Sequence, residues 1–383
     1  MTKLILMKKI GITGQAGFVG NHLYTTLSLD ETVELVTFER NFFNNKAALE
    51  NFVAQCDCII HLAAMNRHED ANVIYNTNLK LVDDLIDACI SKGATPHIIF
   101  SSSSQEDRDN LYGQSKKEGK EKFMQWAAKS GGKFTSLTIP NVFGPFGKPN
   151  YNSVVATFCH KVARGEEPTI IQDGEVGLIY INELVRIFID TAKNTIDATK
   201  LGVNSFEVRI EATSKNMVST ILALLNRYKK DYMGRGIFPN LEDTFEKALF
   251  NTFRCYVPED HYPVKFTKHT DPRGSFVEIA RTQTSGQFSF STTVPGITRG
   301  NHFHTRKAER FAVISGKALI QLRKIGTDKV IDYYLDGEEP AYVDMPIWYT
   351  HNIKNIGNTE LITLFWINDP YSQEDADTYF EDV

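Results

Sequence analysis

The first part of the chain alternates short apolar runs with longer stretches whose apolar residues recur at helical spacing. The predicted strands are 9–13, 35–38, 58–62, 97–100 and 136–139. The predicted helices are 18–29, 78–91 and 116–129. Strands that alternate with helices in this way imply a parallel sheet covered on both faces. The pattern therefore predicts an α/β domain with a doubly wound parallel sheet over residues 1–255.

After about residue 255 the pattern changes to short β-rich runs separated by turn residues. These runs are 277–279, 312–314, 318–323, 330–334 and 361–366. Pro-Gly, Ser-Gly and Asp-Gly pairs separate several of them, and this rhythm is typical of a β-barrel or jelly roll. We therefore predict a second, all-β domain over residues 256–383, joined to the first near 254–263.

Composition narrows the kind of partner that the chain can have. It has 383 residues, 42% hydrophobic and 23% charged, and its net charge is 42 − 47 = −5. This balance indicates a globular protein without general nucleic-acid affinity. No stretch approaches the ~18 uninterrupted apolar residues of a membrane span, so we expect no membrane insertion. Five cysteines without a signal peptide favour reduced thiols in the cytoplasm.

A glycine-rich segment stands where the first predicted strand gives way to the first helix. Its residues are Thr13, Gly14, Gln15, Ala16, Gly17, Phe18, Val19 and Gly20. Glycines at this spacing let the backbone turn tightly and approach a pyrophosphate, which the helix N-terminus then binds through its free N–H groups. We predict a Rossmann-type dinucleotide site in which Gly14, Gly17, Phe18, Val19 and Gly20 contact the cofactor.

The end of the second predicted strand bears on the choice of cofactor. Glu39 would bind a ribose 2′-hydroxyl, as in NADH, whereas Arg40 would pair with the 2′-phosphate of NADPH. Both residues are present, and Arg40 favours NADPH.

Further motifs follow in order along this domain. They are His61-Leu62-Ala63-Ala64, the serines 101–104, and Tyr112-Gly113-Gln114-Ser115-Lys116. Together with the glycine motif they resemble the extended short-chain dehydrogenase/reductases, which act mostly on nucleotide sugars. The resemblance covers about residues 8–250. It implies that Leu62, Ala63 and Ala64 line the cofactor site.

The resemblance also implies catalytic roles. Tyr112 and Lys116 are four residues apart and share one helix face. Tyr112 would give a proton to a carbonyl oxygen while the cofactor delivers hydride to the carbon. Lys116 would favour the phenolate and hold the nicotinamide ribose. Ser103 would hold the carbonyl oxygen, with Ser102 and Ser104 as alternatives. Three polar residues downstream are candidates for substrate binding: Asn141, Lys148 and Asn150.

The β-rich domain contains a histidine-rich pattern of fixed spacing. Gly296 is followed by His302, His304, Glu309 and Gly316, and a later stretch adds His351. In a strand His302 and His304 point to the same face, so these imidazoles and Glu309 can surround a divalent ion. Zinc is favoured over iron, nickel or manganese. The pattern resembles the cupin superfamily over about residues 264–370, and a metal-free cupin is the alternative.

The segment 271–276 reads Asp-Pro-Arg-Gly-Ser-Phe. It resembles a stretch in cupins that epimerise 4-keto-6-deoxy nucleotide sugars, which implies that Arg273 lies near the nucleotide phosphates. The alternative is an ordinary β-turn. Candidates for the epimerase base are Tyr349, Lys307 and His302.

A reductase followed by a metal cupin resembles a family of bifunctional capsule-biosynthesis enzymes. That resemblance implies C3 inversion by the cupin and NADPH-dependent C4 reduction of UDP-2-acetamido-2,6-dideoxy-β-L-lyxo-4-hexulose. The product would be UDP-2-acetamido-2,6-dideoxy-β-L-talose, on the way to UDP-N-acetyl-L-fucosamine. Alternatives are a 4-reductase whose cupin serves binding or dimerisation, an iron cupin dioxygenase, and a non-enzymatic sensor. We expect a homodimer, because lone barrel edges are often buried between subunits.

Overall fold

The computed structural model describes residues 7–272, 274–283, 285–369 and 372–383. The chain forms two compact units. The first unit comprises the chain up to Phe143, together with Gly147–Val154 and Gly174–Met217. The second unit comprises Gly144–Phe146, Val155–Asp173 and the chain from Val218 onward. The domain ranges 1–255 and 256–383 stay a prediction. Among the described residues, no helix is long and apolar enough to cross a membrane.

Within the described residues, the first unit contains ten strands. They are β1 Lys8–Thr13, β2 Val33–Val36, β3 Cys58–His61, β4 His97–Ser103, β5 Phe134–Ile139, β6 Asn141–Phe143, β7 Glu175–Tyr180, β8 Thr199–Gly202, β9 Ser205–Arg209 and β10 Ser214–Met217. Seven of them form one sheet in the order β2-β1-β3-β4-β5-β9-β8. In this sheet β2, β1, β3, β4, β5 and β9 pair with their neighbours in parallel. The edge strand β8 pairs antiparallel with β9. The predicted doubly wound sheet is confirmed.

The α-helices of the described residues are α1 Phe18–Leu27, α2 Lys46–Gln55, α3 Ala71–Lys92, α4 Leu111–Ser130, α5 Val154–Ala163, α6 Ile181–Ala192, α7 Val218–Tyr228 and α8 Thr244–Arg254. Apolar cores cover both faces of the sheet, one containing side chains of α1 and α6 and the other side chains of α2, α3 and α4. The central strands β3 and β5 are buried along their whole length because both faces of the sheet are covered.

Two helices begin earlier than the sequence predicted. Helix α3 starts at Ala71 rather than 78, after Asp70 accepts a hydrogen bond from the backbone N of Asn72. Helix α4 starts at Leu111 rather than 116, after Asn110 accepts one from the N of Gly113 at 2.8 Å. Their first turns mix apolar and polar residues and are partly exposed, so the apolar periodicity did not reveal them.

The second unit is dominated by antiparallel strands. They are β11 Ile237–Phe238, β12 Val264–Lys265, β13 Lys268–Asp271, β14 Gly274–Val277, β15 Arg281–Thr282, β16 Gln287–Thr293, β17 Thr298–Phe303, β18 Glu309–Ser315, β19 Lys317–Lys324, β20 Val330–Asp336, β21 Ala341–Met345, β22 Tyr349–Asn355, β23 Leu361–Ile367 and β24 Tyr379–Phe380. Two five-stranded sheets form, β12-β21-β18-β23-β16 and β20-β19-β22-β17-β24. Alternate residues of both sheets fill one shared core, as in a jelly roll. The predicted all-β fold is confirmed.

A helical segment, 218–262, packs on these strands through buried charges. Arg310 and Asp344 form a two-point ion pair at 2.7 and 2.9 Å. Tyr232 donates to Asp344 at 2.8 Å, and Arg254 donates to the carbonyl of Met345 at 2.5 Å. These side chains are at least nine-tenths buried. The helical segment is therefore part of the second compact unit.

Candidate active sites

The glycine turn between β1 and α1 has the backbone that a phosphate site requires. Gly14 has φ +78°, and a Cβ there would lie 2.8 Å from the N of Ala63. A Cβ at Gly20 would collide with the carbonyl oxygen of Gly14. In the described chain no side chain caps Gly17 at the start of α1, so the first amides of the helix are open to a ligand. Phe18 and Val19 begin this helix, as predicted.

The chain after β3 lies against this turn. Ala63 N donates to Thr13 Oγ1 at 3.3 Å, and Thr13 Oγ1 also contacts His61 Nδ1 at 2.8 Å. Burial, reinforced by Lys116, lowers the pKa of His61 to about 3, so His61 is neutral near pH 7. Leu62, Ala63 and Ala64 are each half-buried beside the glycine turn. Their role in lining the cofactor site stays a prediction.

Asn78 fixes the rest of that loop, although it was not among the predicted site residues. Its Oδ1 accepts from Met65 N at 2.7 Å, and its Nδ2 donates to Met65 O at 3.1 Å. The same Nδ2 donates to Ser115 Oγ at 3.1 Å. The available signal was an amide on the otherwise apolar buried face of α3, because buried polar groups require partners.

Tyr112 and Lys116 lie one turn apart near the start of α4. The Lys116 Nζ is 5.8 Å from the centre of the Tyr112 ring and 4.9 Å from that of Phe100. Burial lowers the pKa of Lys116 to about 8. Burial, followed by the neighbouring Tyr151, raises the pKa of Tyr112 to about 12. Tyr112 therefore keeps its phenolic proton at neutral pH, as a proton donor in a reduction must.

The four serines after β4 have different surroundings. Ser102 is buried and donates to Glu106 Oε2 at 2.5 Å, and Ser101 donates to His61 O at 3.3 Å. Ser104 is exposed. Ser103, at the last position of β4, is half-buried and accepts from Gln105 N at 3.2 Å. These environments favour Ser103, since Ser102 is already engaged with a carboxylate.

The predicted substrate residues of the first unit fall in two places. Asn141 starts β6 and donates to the carbonyl of Gly177 at 3.2 Å. Asn150, with φ +54°, accepts from Arg67 through its carbonyl oxygen at 3.0 Å. Lys148 Nζ is 5.3 Å from the ring centre of Tyr151. Because Tyr151 influences the pKa of Tyr112, the segment Gly147–Val154 lies near the predicted proton donor.

Two further predictions concern the cofactor and the nucleotide. Arg40 and Glu39 are both exposed after β2, which leaves either side chain available to a ribose or its phosphate. Arg273 lies outside the described residues.

The four predicted metal ligands converge in the second unit. Their donor atoms, from His302, His304, Glu309 and His351, all lie within 4.8 Å of one another. Glu309 Oε2 is 3.0 Å from His304 Nε2 and 3.2 Å from His351 Nε2. His302 is half-buried and the other three are buried. Strands β17, β18 and β22 carry His302, Glu309 and His351, and a backbone irregularity in β17 separates Gly300 from His302.

The electrostatics of this cluster fit a divalent ion. Burial by itself raises the pKa of Glu309, but the hydrogen bond with His304 and the nearby His351 imidazole hold it far below its ordinary value. Burial, with the neighbouring His351, lowers the pKa of His302 to about 4. The cluster therefore offers a carboxylate and at least one neutral imidazole at pH 7, from side chains that are buried or half-buried. Three imidazoles and one carboxylate are a donor set for zinc and related metals.

The candidate epimerase bases differ in their surroundings. Lys307 is buried, and its Nζ donates to Ala376 O at 2.9 Å. Burial raises the pKa of Tyr349 far above its ordinary value. His302 belongs to the metal cluster. None of these roles is tested by the geometry, and the base stays a prediction.

Comparison with known proteins covers nearly the whole chain. Residues 10–200 match the NAD dependent epimerase/dehydratase family, and residues 269–379 match the polysaccharide biosynthesis C-terminal domain family. The chain is 33% identical over 373 residues to UDP-2-acetamido-2,6-beta-L-arabino-hexul-4-ose reductase of Pseudomonas aeruginosa, covering 97% of this chain and 98% of that protein. It is 25% identical over 123 residues to the spore coat polysaccharide biosynthesis protein SpsL of Bacillus subtilis, covering 30% of this chain and 82% of that protein.

A solved structure agrees with this comparison. The capsular polysaccharide assembling protein CapF from Staphylococcus aureus is 34% identical and superposes with a TM-score of 0.60, covering 98% of this chain and 100% of that chain. Identity at this level over two domains in the same order shows common family membership. The chain therefore belongs to the family of CapF and the Pseudomonas reductase, enzymes of the nucleotide-sugar reductase/epimerase kind.

Proposed function

We propose that the chain converts a UDP-linked 4-keto-6-deoxy amino sugar in two steps. The cupin inverts C3, and the N-terminal domain reduces the C4 ketone with NADPH. The product is UDP-2-acetamido-2,6-dideoxy-β-L-talose. The single observation that supports two chemistries is the convergence of His302, His304, Glu309 and His351 in a chain that also carries Tyr112 and Lys116.

Sugar configuration decides the order of these steps. The Pseudomonas relative is named for an arabino-hexul-4-ose. Arabino and lyxo 4-hexuloses differ at C3 alone, and talose has the lyxo arrangement at C2, C3 and C5. C3 inversion therefore takes the arabino ketone to the lyxo ketone, and C4 reduction takes the lyxo ketone to the talose. The resemblance described under sequence analysis implied the lyxo 4-hexulose as the starting sugar. In this order of steps the arabino ketone is the starting sugar and the lyxo ketone is the intermediate.

The reduction uses groups near the start of α4. NADPH, held at the glycine turn and by Arg40, supplies a hydride to C4 when bound. Tyr112 gives its phenolic proton to the C4 oxygen, so the ketone gains one hydride and one proton and becomes an alcohol. Ser103 donates to that oxygen and positions it. Lys116, adjacent to the Tyr112 ring, stabilises the phenolate that remains.

The inversion depends on the acidity of a C–H bond beside a ketone. Loss of the C3 proton gives an enolate, and its return to the other face inverts the centre. A divalent ion held by the cluster, most simply zinc, supplies positive charge for a developing oxyanion. Asn141, Lys148, Asn150 and Arg273 are proposed to bind the UDP-sugar. Reduction of the ketone removes the acidity at C3 and makes the inversion permanent.

The proposal also includes a homodimer.

The testing experiment follows C3 by NMR in D2O. The full chain is incubated with the arabino 4-keto UDP-sugar, first without NADPH and then with it. Deuterium at C3 without NADPH supports a separate epimerase, and talose formation on adding NADPH supports the second step. Reduction with no deuterium at C3 would instead favour the simpler candidate, a 4-reductase whose cupin binds or assembles.

A further inference from the structure

The last residues of the chain run across the strands that carry the metal cluster. We call residues 375–382 the C-terminal strap. Within it, β24 pairs antiparallel with β17, so that Phe380 lies opposite His302 and Tyr379 opposite Phe303. The Tyr379 ring stacks on that of Phe303, with 5.3 Å between their centres. The strap is therefore an added strand beside the first histidine of the cluster.

The strap also contacts a second histidine of the cluster directly. His304 Nδ1 lies 2.5 Å from the backbone carbonyl oxygen of Asp377. A carbonyl can accept but not donate, so this contact requires a proton on Nδ1. His304 Nε2 lies 3.0 Å from Glu309 and faces the cluster. The Asp377 carbonyl thus selects the tautomer whose Nε2 is available to a metal.

The Asp377 side chain holds that carbonyl in place. Its two carboxylate oxygens accept from the backbone N of Thr305, Arg306 and Lys307, each at 3.1 Å, and from the Thr305 hydroxyl at 2.7 Å. Asp377 is 7% exposed and has φ +44°. The carboxylate therefore ties the strap to the three residues that follow His304.

The far end of the strap is tied to the strands of the other ligands. Glu381 N donates to Asn301 O at 3.0 Å, next to His302. The Thr350 hydroxyl donates to Glu381 O, next to His351. Arg323 pairs with the Glu381 carboxylate at 2.7 Å. The strap thus reaches His304 and the neighbours of His302 and His351.

We propose that Asp377 is a positioning residue of the metal centre, acting through the His304 imidazole. The inference rests on the proposed metal site. The backbone carbonyl of Asp377 selects the His304 tautomer. The carboxylate of Asp377 holds that carbonyl in position. The sequence did not predict this role, because Asp377 and His304 are separated by 73 residues.

The experiment compares metal binding by the full chain and three variants, each first freed of metal. Asp377→Gly removes the carboxylate, and glycine adopts a positive φ without strain. Asp377→Asn keeps an acceptor oxygen and tolerates the same φ. Asp375→Gly is the matched control. Asp375 lies on the same strap, is exposed and pairs with Arg306, which lies outside the strap. Zinc affinity is measured by competition with a chelator, and Co²⁺ reports ligand geometry through its visible spectrum.

We expect Asp377→Gly to lose about 10- to 100-fold in zinc affinity, with an altered Co²⁺ spectrum. Asp377→Asn should recover only part of the loss, because its amide oxygen replaces one of the two accepting oxygens and its NH2 group cannot accept from the backbone N–H donors. Asp375→Gly should bind like the unaltered chain. Thermal unfolding of the metal-free proteins separates positioning from folding, because positioning predicts a deficit in binding larger than any deficit in metal-free stability.

Two results would overturn the inference in different ways. Zinc affinity and a Co²⁺ spectrum unchanged in Asp377→Gly would refute the positioning role while leaving the metal centre intact. If the unaltered chain itself binds neither Zn²⁺ nor Co²⁺, the proposed metal centre fails and the role of Asp377 falls with it.

Discussion

Asn78 donates to Ser115 Oγ at 3.1 Å, which joins the middle of α3 to the turn of α4 that carries Tyr112 and Lys116. Ser115 Oγ in turn donates to the carbonyl of Tyr112 at 2.7 Å. Through its two bonds to Met65, the same amide holds the loop after β3. One buried side chain therefore positions both the proposed cofactor loop and the proposed catalytic helix.

We predict that Asn78→Ala raises KM for NADPH and lowers the free energy of unfolding by about 1–3 kcal/mol, because the half-buried backbone N–H and carbonyl of Met65 lose their partner. Asn76→Ala is the matched control, since Asn76 is exposed on the same helix. Steady-state kinetics and denaturant unfolding measure both effects. Equal behaviour of the two variants would remove Asn78 from the site.

Tyr112→Phe separates the two proposed reactions. We expect C4 reduction to fall by about 10²- to 10⁴-fold, the usual contribution of a positioned proton donor. Deuterium exchange at C3 should continue, because the metal cluster does not include Tyr112. The surface change Tyr24→Phe is the control. Parallel loss of both activities in Tyr112→Phe contradicts a two-site enzyme.

Glu309→Gln makes the reciprocal separation. It removes the carboxylate that lies within 3.2 Å of both His304 and His351. We expect loss of metal, measured by elemental analysis, together with loss of C3 exchange. Reduction of the lyxo ketone, which needs no inversion, should persist. Glu339→Gln alters an exposed glutamate of the same unit and serves as control. Retained C3 exchange without metal would show that the ion has no chemical role.

Arg40→Ser tests the choice of cofactor. An arginine on the 2′-phosphate makes a charge-assisted bond, and its loss should raise KM for NADPH about tenfold or more. KM for NADH should barely change. Glu39→Ser is the matched neighbour, because both side chains are exposed after β2. If Glu39→Ser raises KM for NADH while Arg40→Ser affects neither cofactor, the chain is an NADH enzyme.

Short-range patterns explain what the sequence predicted well. Glycines 14, 17 and 20 lie in one short segment, and His302 near the end of β17 and His304 just after that strand bring their ring centres to 5.0 Å. Each of these signals requires a few adjacent residues. The strand–helix alternation likewise reads directly from local apolar spacing.

The missed features depend on contacts between distant parts of the chain. Asn78 acts across 37 residues on Ser115, and Asp377 across 73 on His304. Tyr232 joins the barrel through Asp344, 112 residues away. Apolar periodicity can place such a residue on a buried face, as it does for Asn78, but it does not identify the distant partner.

Burial of Lys116 predicts an unusual pH dependence of stability in the cofactor-free chain. Its pKa falls from 10.5 in the unfolded chain to about 8 in the folded one. Between these values the unfolded state binds more protons, so the free energy of unfolding rises with pH. Below pH 8 the cost of burying the ammonium is fully present, on the order of 3 kcal/mol.

Lys116→Met should therefore be more stable than the unaltered chain at pH 7, with a difference that shrinks as pH approaches 10.5, while reduction is lost. Denaturant unfolding at several pH values measures this difference. Lys117→Met changes the exposed neighbour on α4 and should show no such trend. A stability difference independent of pH would mean that Lys116 keeps its ordinary pKa in the fold. The phenolate of Tyr112 would then have a permanent cation beside it throughout the working pH range.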